Sequence, residues 1–457
     1  MDALIVVFAT GLISMFIALA KKPALVLGTA VVGLLAAITL LALQVNHPYN
    51  LVKYDGLEFD GVSIYYSIMS LVFGLLIILG GYSYFSRESE HTGEYISLIL
   101  FSLVGSMCMI GFTDLFMFFL GLEILSIPVY VLAGSNKKDL LSTEASVKYF
   151  FTGSFATGIL LFGVAWLYGA TGSFAITDIA NAIGEGRASG SMLGVGILMI
   201  MASFLFKVGG APFHFWSPDV YGGSPNIVTG YMAAVVKLSG LFAFMKLFTF
   251  VFGEASQIWV SALYVLAIVT MFVGNLSAIR QVKFKRILAY SSVANAGYAL
   301  LVILPSSKDL FSHLKALEFL WFYMLGYGLS IITLIVISMT VKNESDDLEG
   351  FRGAGRKNPW IGFFFTLGLL SIAGIPPLAG FFGKYMVFSH AYKMYPELVI
   401  IAVINSGIGI YYYLKIFMTF MASDHSEDTE KPSPNFLQYL VLAICAIGLI
   451  AGPFVLM

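Results

Sequence analysis

Four ionisable residues stand in stretches where a charge is costly, and their types point to proton handling. They are Glu123 in TDLFMFFLGLEILSIPVYVLAG, Lys207 in FLFKVGGAPFHFW, Lys237 in GYMAAVVKLSGLFAFMKLF and Lys384 in SIAGIPPLAGFFGKYMVF. A charged side chain at the centre of a membrane helix costs about 2.5–3.5 kcal/mol on the insertion scale, so such residues are usually paired or functional. Burial disfavours an ammonium and a neighbouring carboxylate favours it, so a lysine held between the two changes protonation when its partner moves. Arginine would remain charged throughout. The competing structural account of Glu123 is a salt bridge to a lysine that locks helices together. For a lysine it is a snorkelling side chain. One lysine suits that account better than three in mid-span, two of them beside helix breaks.

Lys148, after KKDLLSTEAS, lies nearer the end of an apolar run, where an interfacial anchor explains it nearly as well as a proton-carrying role. His214 and Asp219, in PFHFWSPDVYGG, fall in or after one of the breaks. An imidazole titrates near neutrality and can relay protons. A helix-terminal hydrogen-bonding role fits His214 equally well.

The chain that must position these groups has 457 residues, 59% hydrophobic and 11% charged. Ordinary soluble domains carry about 25% charged residues. The expected fold is therefore an all-α integral membrane protein. A formal net charge of −1 excludes a strongly basic nucleic-acid binder. Cys108 and Cys445 lie in apolar runs without a CxxC pair, which leaves no thiolate set for zinc or an iron–sulfur cluster. The six histidines are scattered and suggest no metal cluster or haem pair. The glycine-containing loop GEGRASG follows no strand, so it is not a dinucleotide fingerprint. Asp2 stands where a secretory signal would carry Lys or Arg, so the first helix is expected to be retained.

Windows of about 20 apolar residues, enough to cross a hydrocarbon core of ~30 Å, predict fourteen spans. They lie near 3–20, 24–45, 61–85, 95–111, 114–133, 145–169, 191–216, 225–250, 256–278, 287–304, 314–340, 359–390, 396–420 and 436–455. The connections are too short for a soluble catalytic domain, so any chemistry must occur within the membrane. Odd-numbered loops hold fourteen basic residues, among them Lys137, Lys138, Arg280, Lys283, Lys285, Arg286 and Lys342. Even-numbered loops and their margins hold six: Lys53, Arg187, Lys246, Lys308, Lys315 and Lys393. The positive-inside rule then puts the odd loops in the cytoplasm and both termini on the other side.

The seventh and twelfth spans are interrupted in a related way. Lys207 directly precedes Gly209, Gly210 and Pro212, whereas Gly374, Pro376 and Pro377 precede Lys384. Proline removes a backbone donor and clashes with the preceding turn, so each helix should break there. Broken helices at matching positions mark transport sites, and the reversed order of Lys and break suggests an inverted repeat. This divides the chain into residues 1–90 (three helices), 95–250 (spans 4–8, the first repeat), 256–420 (spans 9–13, the inverted second) and 436–455 (a last helix).

At this point the motifs become recognisable. FKVGGAPFHFWSPDVYGGSPNIVTGYMAAVVKLSGLFAFMKLF, KFKRILAYSSVANAGYAL and GLLSIAGIPPLAGFFGKYMVF closely resemble the antiporter-like subunits of respiratory complex I, and the likeness covers almost the entire chain. The resemblance implies a glutamate–lysine pair at Glu123 and Lys207, a sixth-helix lysine at Lys148, a central lysine at Lys237 and a second half-channel lysine at Lys384. It also implies a proton-translocating membrane subunit of a bacterial NADH-quinone oxidoreductase in the inner membrane, with no cofactor of its own. Flavin, iron–sulfur clusters, NADH and quinone would belong to other subunits. Neighbouring antiporter-like and small membrane subunits, lipid, water and protons would be its partners, with no nucleic acid. One departure is Asn295, where relatives commonly have a titratable histidine. Two alternatives share the same residues: a Na⁺/H⁺ antiporter subunit of a multisubunit secondary transporter, and a non-pumping scaffold whose charges only hold helices.

Overall fold

Every long apolar run forms a helix, because within lipid each backbone donor and acceptor must be satisfied inside its own segment. The computed structural model describes residues 1–46, 56–87, 91–188, 190–304, 310–341, 346–423 and 431–455. Lys53, Lys308 and Lys342 of the loop-charge count lie outside these residues. The elements in order are α1 (Asp2–Ala18), α2 (Pro23–Asn46), α3 (Gly61–Arg87), α4 (Thr92–Gly111), α5 (Leu115–Ala133), α6 (Leu140–Thr171) and a short α7 (Ile176–Gly184). Next come α8 (Ser191–Val208), α9 (Trp216–Gly223) and α10 (Asn226–Tyr231), which runs through a π turn (Met232–Val236) into α11 (Lys237–Met245) and a second π turn (Lys246–Val251). The rest are α12 (Ser256–Ile279), α13 (Phe284–Ile303), α14 (Leu310–Ser338), α15 (Ala354–Lys357), α16 (Pro359–Ala373), α17 (Ala379–Tyr392), α18 (Pro396–Phe420) and α19 (Phe436–Val455).

Twelve segments are long and apolar enough to cross a membrane, and two shorter apolar helices, Asp2–Ala18 and Pro359–Ala373, occupy two further positions of the fourteen expected. Local signals set several starts. The Asp114 and Asp139 carboxylates accept from Met117 N–H (2.6 Å) and Leu141 N–H (2.9 Å) at the heads of α5 and α6. Asn358 precedes Pro359 and accepts from Ile361 N–H at 3.4 Å, a pairing that supplies both the cap and the preset first turn. Close packing then needs small residues. A Cβ on Gly105 of α4 would overlap the α5 backbone at Leu125, and one on Gly274 of α12 would overlap the α13 backbone at Ala294.

The two breaks share one frame. α8 ends on Gly209 in the left-handed conformation (φ 76°), and α16 ends on Gly374 (φ 85°). In the first, Gly209 N–H bonds Phe206 O (3.1 Å) and Gly210 N–H bonds Leu205 O (2.6 Å). In the second, Gly374 N–H bonds Ser371 O (2.9 Å) and Ile375 N–H bonds Leu370 O (3.0 Å). This is the Schellman pattern, which satisfies the last carbonyls and needs a residue free to adopt positive φ. Each glycine is followed three residues later by the proline of a cis X–Pro bond, Ala211–Pro212 and Pro376–Pro377. The lysines do not match within this frame: Lys207 is two residues before its glycine and Lys384 is ten after its own. The residue ten after Gly209 is Asp219.

Lys246, counted above at a loop margin, lies inside a helical span. It opens the second π turn inside the span Asn226–Val251, and its ammonium donates to Phe112 O at 2.6 Å and Ile110 O at 3.4 Å. The carbonyls at the end of α4 hold the charge there, as a helix C-terminus favours a cation.

Candidate functional site

Lys207, Lys237 and Lys384 are 6%, 4% and 7% exposed, so all three are core residues rather than snorkelling ones. Among the described residues, no carboxylate forms an ion pair with any of them. Their ammoniums are instead held by hydroxyls and backbone carbonyls.

Lys207 occupies the last turn of α8 and donates to Ser126 Oγ on α5. Ser126 in turn donates to Leu122 O. Glu123 is half-buried and accepts from Thr157 Oγ1 of α6 at 2.8 Å. The acid and the base therefore meet the same helix three residues apart without touching each other. Leu122, Tyr130, Thr157, Ser203 and Lys207 line one small crevice between α5, α6 and α8. The two residues expected to pair thus approach the same stretch of α5, but each is held by its own hydroxyl, Thr157 for Glu123 and Ser126 for Lys207, with no direct salt bridge.

Lys237 sits where the first π turn returns to α-helix. Such bulges recur at functional sites because they redirect a side chain within a continuous helix. Its ammonium bonds Ser292 O (2.5 Å) and Ser292 Oγ of α13 and lies 5.6 Å from the Tyr327 ring centre of α14. Lys384, from α17, reaches back across the break to Ala373 O (3.1 Å), the end of α16, and to Ser406 Oγ (3.3 Å). Lys207 belongs to the last turn of α8 but sends its ammonium to α5, whereas the Lys384 ammonium itself lies at the C-terminal end of α16. That end carries the negative pole of the helix dipole and favours a cation.

α13 connects the last two lysines. Ser292 holds Lys237, and the Tyr298 ring lies 5.2 Å from the Lys384 ammonium. Those two residues are six apart, about 9 Å of rise on an α-helix. Asn295 lies between them, and Ser291, which shares a 2.5 Å hydrogen bond with Tyr413, immediately precedes Ser292. The Asn295 amide donates to Ser291 O (2.8 Å) and accepts from Tyr323 Oη (2.8 Å). Asn295 is fully engaged as a hydrogen-bond hub of a hydroxyl-rich seam between α13, α14 and α18. It can orient such a chain, but it cannot carry a proton as an imidazole would.

Lys148 lies in an ion network rather than in the core. It is 2.6 Å from both Glu144 and Asp219, and Asp219 is 3.1 Å from Arg286 of α13. His214, in the segment between α8 and α9, is buried beside Phe215, and its Nδ1 has no hydrogen-bond partner. The structure does not join it to Lys207 or Lys237 through any hydrogen bond among the described residues. Outside the spans, Asp346 accepts from Lys285 N–H at 2.9 Å, and burial holds its carboxyl above the usual range against the pull of Lys285. No group of three His, Cys, Asp or Glu side chains among the described residues could hold a metal ion.

The sequence reading missed Ser126, Thr157, Ser292, Ser406, Tyr298 and Tyr413. Serine, threonine and tyrosine are so common in these helices that no spacing singles out those six.

Residues 113–409 match the family described as NADH:quinone oxidoreductase/Mrp antiporter, TM. A Cytophaga hutchinsonii protein named NADH-quinone oxidoreductase subunit N is 36% identical, covering 99% of this chain and 98% of that one. A protein of the same name from Trichlorobacter lovleyi is 38% identical over 86% of this chain and 81% of its own. Among solved structures, a chain of respiratory complex I from Thermus thermophilus superposes with a TM-score of 0.85 at 28% identity, covering 99% and 97% of the two chains. A chain of the Mrp complex from a Dietzia species shares the fold, with a TM-score of 0.83 at 19% identity over 99% and 95%.

Proposed function

Since the chain belongs to the NADH:quinone oxidoreductase/Mrp antiporter family of membrane proteins, we propose that it is a proton-translocating membrane subunit of a NADH-quinone oxidoreductase in which Glu123, Lys207, Lys237 and Lys384 carry the coupling. Its partners are other membrane subunits of that complex. Electron transfer from NADH to quinone, with its flavin and iron–sulfur clusters, falls to other subunits. A multi-pass protein of this kind belongs in the bacterial inner membrane, and the basic residues of the odd loops support a cytoplasmic position for those loops.

The observation that carries the mechanism is the set of three lysines buried to under a tenth exposure and held by hydroxyls and carbonyls instead of carboxylates. A fixed salt bridge would hold each lysine charged, whereas neutral partners let it exist in either form. A charge change near Glu123 alters the field at Lys207 and so its hold on a proton. The proton passes through Lys237, and the Ser291–Tyr413–Asn295–Tyr323 seam supports the remaining route towards Lys384. The shared glycine–proline frame of the two breaks supports reading spans 4–8 and 9–13 as inverted repeats. Full-length likeness to proteins named subunit N favours this reading over a Na⁺/H⁺ antiporter subunit. Lys237→Met tests it: the assembled complex should reduce quinone with little or no proton pumping. Pumping at the wild-type ratio would sink the proposal.

A further inference from the structure

We propose that Asp219 is a positioning residue for proton transfer: it ties the second half of the first broken helix to α6 on one side and to α13 on the other. Both carboxylate oxygens are used. Oδ2 is 2.6 Å from Lys148 Nζ on α6, and Oδ1 is 3.1 Å from an Arg286 guanidinium nitrogen on α13. The neighbouring Lys285 grips the same short helix at its other end, donating to Ser224 O at 2.9 Å. Two consecutive cations of α13 therefore hold α9 between them. At its far side α9 packs directly on α6, where a Cβ on Gly223 would overlap Leu141 O.

The consequence reaches Lys237. Arg286 and Ser292 are on the same helix, six residues or about 9 Å of rise apart, and Ser292 makes both hydrogen bonds to the Lys237 ammonium. A shift of α13 along or about its axis moves those two acceptors together. Asp219 also joins the two five-helix units, since α6 and α9 belong to the first and α13 to the second. In the frame set by the two break glycines, Asp219 stands ten residues after Gly209, as Lys384 stands ten after Gly374. An acid tying two units together thus holds the place that a buried proton-carrying lysine holds in the other unit.

The ion pairs themselves are partly exposed, with side-chain exposures of 42%, 37% and 36% for Lys148, Asp219 and Arg286. Pairs of that kind add little to stability. Their value here lies in where they hold α9 and α13, so removing the carboxylate should spare assembly while disturbing coupling.

The inference rests on the reading of Lys237 as a proton carrier, and the test separates the two. In the whole complex, in inverted membrane vesicles with subunit content checked, protons pumped per quinone reduced are measured for Asp219→Asn, Asp219→Glu, Arg286→Gln and Lys237→Met. Asp219→Asn should lower the ratio roughly fivefold, the lower edge of ordinary coupling between linked sites. Asp219→Glu should restore most of it. Combining Asp219→Asn with Arg286→Gln should add little to either alone, because both cut the same tie. A wild-type ratio in assembled Asp219→Asn overturns the proposal. Should that variant fail to assemble, Arg286→Gln decides, since it severs the arm to α13; a wild-type ratio there overturns the proposal equally. Normal pumping by Lys237→Met would defeat the underlying reading, whereas normal pumping by Asp219→Asn with a defective Lys237→Met defeats the positioning role alone.

Discussion

Replacing Lys384 by methionine separates proton carriage from scaffolding. The substitution removes two hydrogen bonds from the ammonium, to Ala373 O at 3.1 Å and Ser406 Oγ at 3.3 Å. Hydrogen bonds to a charged group contribute about 1.5–3 kcal/mol each. Against that loss stands the cost of keeping an ammonium at membrane depth, about 2.5–3.5 kcal/mol on the insertion scale. The second offsets only part of the first, leaving a net change between about −0.5 and +3.5 kcal/mol, mostly destabilising. Methionine has similar length and flexibility and can fill the space against Gly374 and the Tyr298 ring. Lys384→Met should therefore assemble, keep its helices and reduce quinone, yet fail in proton transfer because no titratable group remains. Quinone reductase activity and pumping, measured on one membrane preparation with subunit content checked, read this directly. An assembled Lys384→Met complex that pumps at the wild-type ratio refutes the reasoning. A scaffold role predicts the reverse order, with stability falling first and every surviving complex pumping normally.

Glu123→Ala should leave the complex assembled but greatly weaken pumping, since Lys207 loses the negative charge that favours its ammonium form; Glu123→Asp should retain part of the activity, and wild-type pumping by Glu123→Ala would contradict the switch. Lys207→Arg should not substitute fully, because a guanidinium stays charged in every state; a wild-type pumping ratio would make Lys207 an electrostatic fixture. Gly380→Ala should destabilise the second break by about 1–3 kcal/mol, because a Cβ there would overlap Ser371 O of α16. Thermal unfolding of the purified complex should show it as a lowered midpoint, and an unchanged midpoint would mean that the break relaxes freely.

Membrane residence, twelve of the fourteen expected spans and both breaks were legible before any coordinate, because hydropathy and helix-breaking chemistry belong to short windows of sequence. The buried lysines stood out for the same reason: a charge among apolar neighbours is visible locally. What those lysines touch was not. Lys207 meets Ser126 rather than Glu123, and Lys237 meets Ser292, more than fifty residues away. Asn295 is a three-helix hub whose partners Ser291, Tyr323 and Tyr413 carry no distinguishing pattern. The order of break and lysine in the sequence hid the fact that the Lys384 ammonium returns to the carbonyl end of α16. Asp219 read only as a residue in or after the first break, and its place between α6, α9 and α13 came from the packing. A residue's apolar surroundings along the chain follow from its neighbours in sequence. Which hydroxyl faces which ammonium depends on the rotation and depth of each helix against the others, and only the packing of the whole bundle sets those.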